Sequence, residues 1–190
     1  MRHDDELHVR HIDSGREHVV ERASRPVFSD DGRWVAYSVS PTLSEIDKLQ
    51  KDKKPVPRRA ELMDLETGEK TGWDDVASFE FAEGSSHLAV KKSRPDPEPK
   101  HQGADLILRD LGTGLDELIG SVSWHAFNKP GTLLAWTTDA DDMDGNGLYV
   151  IDLRTRARVP LDSDRAKYAR AQWSETGTAL AVLRGVDVDT

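Results

Sequence analysis

Short apolar runs in this chain are separated by polar, glycine-containing turns, and they return in a fixed order. The sequence Phe28-Ser29-Asp30-Asp31-Gly32-Arg33-Trp34-Val35-Ala36-Tyr37 reads as strand, tight turn, strand. An aromatic closes the first strand, Ser, Asp and Gly supply the turn and its positive φ, and an apolar run follows. The same outline recurs at Phe81–Val90, Phe127–Trp136 and Trp173–Val182, always with an alanine eight residues after the aromatic: Ala36, Ala89, Ala135 and Ala181.

A second pattern alternates with the first. Its copies are Val9-Arg10-His11-Ile12-Asp13-Ser14-Gly15, Leu62-Met63-Asp64-Leu65-Glu66-Thr67-Gly68, Leu108-Arg109-Asp110-Leu111-Gly112-Thr113-Gly114 and Val150-Ile151-Asp152-Leu153-Arg154-Thr155-Arg156. Each is a strand entering a Thr/Ser-Gly hairpin turn, and the last departs by placing Arg156 where the others have glycine. The defining aromatics lie 53, 46 and 46 residues apart. That period suits four-stranded propeller blades rather than helical solenoids. The expected fold is an all-β β-propeller segment of four-stranded antiparallel blades, with a half-blade at 7–22, blades at 23–72, 73–120 and 121–164, and a half-blade at 165–186. All belong to one propeller domain, or part of one, spanning 1–190. The two half-blades either complete each other and close a small ring or belong to a larger one. The larger ring is preferred, because the chain stops after an inner hairpin.

Connections between the second and third strands of each blade differ. Pro41 to Arg59 contains Thr42 or Ser44 as the cap of a short helix, ended by Pro55 and Pro57. Ser93 to Gly103 is too proline-rich for regular structure and reads as an exposed loop. Asp139 to Gly147 is acidic and glycine-rich.

Composition narrows the function without naming it. A formal net charge of −9 argues against a nucleic-acid partner, which needs a clustered basic surface. The absence of cysteine excludes disulfides, thiolate catalysis and cysteine-bound zinc. No run approaches a membrane span, and Met1 to His11 is too polar for a signal peptide, so a soluble chain without an export address is expected. The compartment of the parent protein stays open between cytoplasm and periplasm or secretion.

The Phe28 and Leu62 copies resemble the WD40-like (PD40) propeller repeat shared by TolB and the amino-terminal propellers of prolyl oligopeptidase-like serine peptidases. The resemblance covers about Leu7 to Arg184. The charged, proline-containing insertions at 48–59 and 94–103 are more like the peptidases. That resemblance implies a propeller that caps an α/β-hydrolase domain and filters the peptides reaching it. The hydrolase domain of the parent protein would then be the partner. Gly120-Ser121-Val122-Ser123-Trp124 is the nearest string to a nucleophile elbow, and it lacks the closing glycine. No catalytic residue can be carried over, so the expected role is substrate gating and peptide contact. The alternative is a stand-alone TolB-like module that binds protein partners.

Among candidate ligands, Asp142, Asp144 and Asn146, followed by Gly147, match the first half of a calcium loop. The position of the closing glutamate is Leu153. A solvated acidic turn is the plainer reading, and no other cofactor is suggested. His8 and His18 are placed to face each other across the first hairpin, with His11 near its turn; His87 and His125 read as packing or turn residues. Trp136 and Trp173 read as core, whereas Trp73 and Trp124 are candidates for lining an end of the central channel.

Overall fold

The computed structural model describes residues 5–94 and 100–185. Residues 95–99 of the proline-rich connection, the first four residues and the tail after Gly185 lie outside the described residues. Two compact units are present, Met1–Phe79 and Glu80–Thr190.

The first unit begins with a two-stranded half-blade, β1 (Glu6–Arg10) and β2 (Glu17–Glu21). A four-stranded blade follows, ordered β3 (Ala23–Phe28), β4 (Trp34–Val39), β5 (Arg59–Asp64) and β6 (Lys70–Trp73). All pairings are antiparallel. Helix α1 (Leu43–Lys51) fills the connection from β4 to β5. Thr42 is its cap: Thr42 Oγ1 accepts from the Glu45 amide at 3.3 Å, and the Thr42 amide donates to Glu45 Oε2 at 2.8 Å. This reciprocal box satisfies two otherwise orphaned donors. The helix buries none of its residues, so capping and the flanking strands hold it in place.

β7 (Val76–Phe81) is the edge of a seven-stranded sheet. The sheet continues through β8 (His87–Lys92), β9 (Ala104–Asp110), β10 (Asp116–Phe127), β11 (Leu133–Thr138), β12 (Gly147–Asp152) and β13 (Arg158–Ser163). It is two blades joined by one long strand. Residues 116–119 of β10 pair with β9, residues 124–127 pair with β11, and Val122 pairs with both. Between the two registers Ser121 adopts φ 54°. Arg22 (φ 56°) and Asp75 (φ 53°) hold the same left-handed conformation at the preceding blade junctions. A last half-blade follows, β14 (Lys167–Trp173) with β15 (Leu180–Gly185). The sheets are the four-stranded antiparallel blades of a β-propeller segment, three complete and two half-built.

The invariant alanine marks the deepest position. Ala36, Ala89 and Ala135 are buried, as are their neighbours Val35 and Tyr37, Leu88 and Val90, and Leu134 and Trp136. The second strand of a blade is covered on both faces, and a small side chain lets the sheets approach. The signature aromatic sits further out: Phe28 is 51% exposed. In the second unit one apolar cluster runs through Ala82, Leu106, Leu108, Ile119, Val122, Leu134, Trp136 and Ile151, and another gathers Leu148, Tyr168 and Ala171 with Trp124, Leu180 and Val182.

The hairpin turns explain the second repeat. Asp64 Oδ1 accepts from the amides of Glu66 and Thr67, Asp110 Oδ1 from Gly112 and Thr113, and Asp152 Oδ1 from Arg154 and Thr155, at 2.7–3.3 Å. The threonine hydroxyl then accepts from the amide two residues on. In the first hairpin His11 Nδ1 takes the aspartate's place, accepting from the Ser14 amide at 3.3 Å. Gly15, Gly68 and Gly114 have φ of 67–78°, and Arg156 keeps that conformation at φ 63° without being glycine.

Candidate functional site

The connections after the second strands of the blades carry the sequence-predicted ligands. The acidic segment forms one 3₁₀ turn, Asp141–Met143, with φ 56° at Asp142 and 59° at Met143. Asn146 is buried and serves as a pin. Its Oδ1 accepts from the Ala140 amide at 2.8 Å, and its Nδ2 donates to the Ala166 carbonyl at 2.9 Å and to Asp139 Oδ1 at 3.4 Å. Asp142 and Asp144 lie on the exposed turn. Among the described residues no group of three His, Asp or Glu side chains has a metal-holding arrangement.

The histidines separate. In the first unit His8 pairs in register with Val19, and His18 with Val9, so the two are not opposite. His8 Nδ1 lies 3.1 Å from Glu17 Oε1, and that hydrogen bond, followed by the one to Glu6, raises its pKa. His87 is buried with Nδ1 3.0 Å from the Ser86 hydroxyl, and burial lowers its pKa. Trp136 is core, and Trp73 is also buried rather than exposed to a channel. The Trp124 ring packs against the cluster around Tyr168. Trp173 is half-buried and its indole N–H donates to the Ala126 carbonyl at 3.0 Å.

Two constellations in the second unit were not apparent from the sequence. One is a cleft of about 390 Å³ lined by Leu118, Trp136, Tyr149 and Arg158. Trp136 and Tyr149 stack at 5.5 Å, and the Arg158 guanidinium lies 5.8 Å from the Trp136 ring. Arg156 and Arg158 both pair with Glu117. The other involves Lys91, Ser123 and His125. Ser123 is the extra residue of a bulge in β10, between the Val122–Thr138 and Trp124–Thr137 pairs. Its carbonyl is freed from the ladder and accepts from Lys91 Nζ at 2.7 Å, while its hydroxyl lies 2.8 Å from that of buried Thr137. Burial, and then the Lys91 charge, lowers the His125 pKa to about 4; burial, and then Arg94, lowers that of Lys91. A signal was available: Lys91 occupies the strand position held by Ser38 and Thr137 in the flanking copies.

No protein-family model and no curated protein matches the chain. Solved structures do. The tricorn protease aligns at TM-score 0.52 with 10% identity over 87% of this chain and 16% of its own. The β-propeller domain of the Trilobed protease from Pyrococcus furiosus aligns at 0.47 with 9% identity, covering 78% of this chain and 45% of its own. TolB from Acinetobacter baumannii aligns at 0.42 with 13% identity, covering 94% and 48%. The chain therefore spans less than half the length of each. At these identities what is shared is the fold. Among the described residues no helix is long and apolar enough to cross a membrane.

Proposed function

We propose that the chain is the non-catalytic β-propeller portion of a prolyl oligopeptidase-like serine peptidase, restricting which peptides reach a hydrolase domain of the parent protein and contributing contacts to them. The observation that carries this reading is β15. Its Leu180-Ala181-Val182 run is the fourth copy of a segment that is buried in the other three, yet here Ala181 is exposed and the following Leu183 is 58% exposed. A strand of this composition is built to be covered on both faces and paired along its far edge. Within the described residues β15 pairs only with β14. In the complete blades the strand at this position is flanked by one of the outer-hairpin type, and a larger propeller would offer β15 such a neighbour. The similarity to the tricorn protease supports placing that propeller in a protein-cleaving enzyme.

An antibody raised against the chain, used on lysate of source cells treated with a fluorophosphonate probe of serine hydrolases, tests this. The reading predicts a labelled polypeptide several-fold larger than 190 residues. An unlabelled polypeptide of the chain's own size would refute it and favour the TolB-like binding module.

A further inference from the structure

Lys91 projects from β8 towards the β10 bulge of the next blade and spends one of its three N–H donors on the Ser123 carbonyl. It is half-buried, and no carboxylate among the described residues pairs with it. An ammonium withdrawn from water without a counter-anion is costly, and proteins normally pair it. The groups around it add to the imbalance. Arg94 acts on Lys91 with like charge, and its guanidinium is engaged by the neutral Gln102 amide. The His125 ring follows the bulge by two residues and feels the Lys91 charge. Because burial and that charge keep the imidazole neutral near pH 7, it offers one N–H donor there.

We propose that Lys91 and His125, held by the Ser123 bulge, form a binding site for the carboxylate group of a peptide. Two spare ammonium donors and one imidazole donor match the two oxygens of a single carboxylate. A polyanion is a poor fit for a chain of net charge −9. A peptide carboxylate has two sources, the chain terminus or an acidic side chain, and the site chemistry is common to both. The peptide as carrier of the carboxylate rests on the proposed function; carboxylate binding does not depend on the parent being a peptidase, so either can fail alone.

The test is a titration of the 190-residue chain with acetate at pH 7 and constant ionic strength. It follows the histidine ring resonances by NMR, with His125 assigned from His125→Gln. A saturable shift confined to His125 is expected. Lys91→Gln should weaken acetate binding by about tenfold or more, the worth of one charge-assisted hydrogen bond, and Lys91→Arg should retain it. N-acetyl-dialanine with a free terminus and N-acetyl-aspartate amide then show which carboxylate the site prefers. Absence of a saturable His125 shift in the unsubstituted chain would overturn the proposal, as would equal acetate affinity in folded Lys91→Gln.

Discussion

Gly32 and Gly131 occupy the same position of the same turn, with φ of 68° and 65° and amides bonded to the Ser29 and Asn128 carbonyls at 3.0 and 2.9 Å. Their surroundings differ. A Cβ on Gly32 would meet nothing within 4 Å, whereas one on Gly131 would lie 2.7 Å from the Glu83 carbonyl carbon and 2.8 Å from its nitrogen, and closer still to its oxygen. Alanine at Gly32 therefore incurs only left-handed strain of ~1–2 kcal/mol, offset by ~0.4–1 kcal/mol from the stiffer unfolded chain, a net loss of up to ~1.6 kcal/mol. Alanine at Gly131 adds a collision with backbone that cannot swing aside. Carbon atoms pack best at about 3.5–4.0 Å, so the turns of two neighbouring blades must part by roughly 1 Å. Overpacking of this kind costs about 1–3 kcal/mol, giving a total of ~1–5 kcal/mol. Urea denaturation followed by tryptophan fluorescence measures both variants. If Gly131→Ala is no more destabilising than Gly32→Ala, the turns of successive blades in the second unit are not in contact and the account of blade stacking is wrong.

Other predictions follow from single features. Arg156 bears left-handed strain where the other copies have glycine, so Arg156→Gly should be neutral or stabilising by less than ~1 kcal/mol. Gly114→Ala should cost up to ~1.6 kcal/mol, both read from urea midpoints. Asn128 Oδ1 accepts from the Thr132 and Leu133 amides, both at 2.9 Å, and its Nδ2 donates to the Gly177 carbonyl at 3.3 Å. Asn128→Ala leaves two part-buried amides and the buried Gly177 carbonyl without this partner and should cost ~1–3 kcal/mol in the same assay. The folded pKa of His125, about 4, lies below its unfolded value of 6.5. The unfolded state then binds the proton first: stability is complete above pH 6.5 and falls as pH drops towards 4, by on the order of 3 kcal/mol. His125→Gln should flatten that part of a stability-versus-pH curve. Calcium would have to compete with the Ala140 amide for Asn146 Oδ1, so millimolar calcium should leave the melting temperature unchanged; a rise abolished by Asp142→Asn would assign the loop to the ion.

What the sequence disclosed, and what it hid, follows from which interactions depend on residue type. The Asp-x-x-Thr-Gly turns were legible because an aspartate acceptor, a hydroxyl and a left-handed residue each demand a particular side chain. Arg156 shows that the backbone geometry persists when the residue does not. The helix start at Thr42 was legible for the same reason. The blade junctions were not, since Arg22, Asp75 and Ser121 share a left-handed φ with no chemistry in common. The continuity of β10 through two blades was equally hidden, because Gly120-Ser121 looks like a break yet acts as a register shift. The Lys91–His125 pairing depends on two residues 34 positions apart in neighbouring blades, which strand periodicity does not bring together.

On the proposed reading these blades belong to a larger propeller that covers their open sheet edges. Size-exclusion chromatography with light scattering on the purified chain, run alongside a thermal melt, addresses it most directly. Exposed strands of the β15 type predict dimers or larger species at micromolar concentration and a broad transition of low cooperativity. A compact 21.2 kDa monomer unfolding in one sharp transition would contradict that reading.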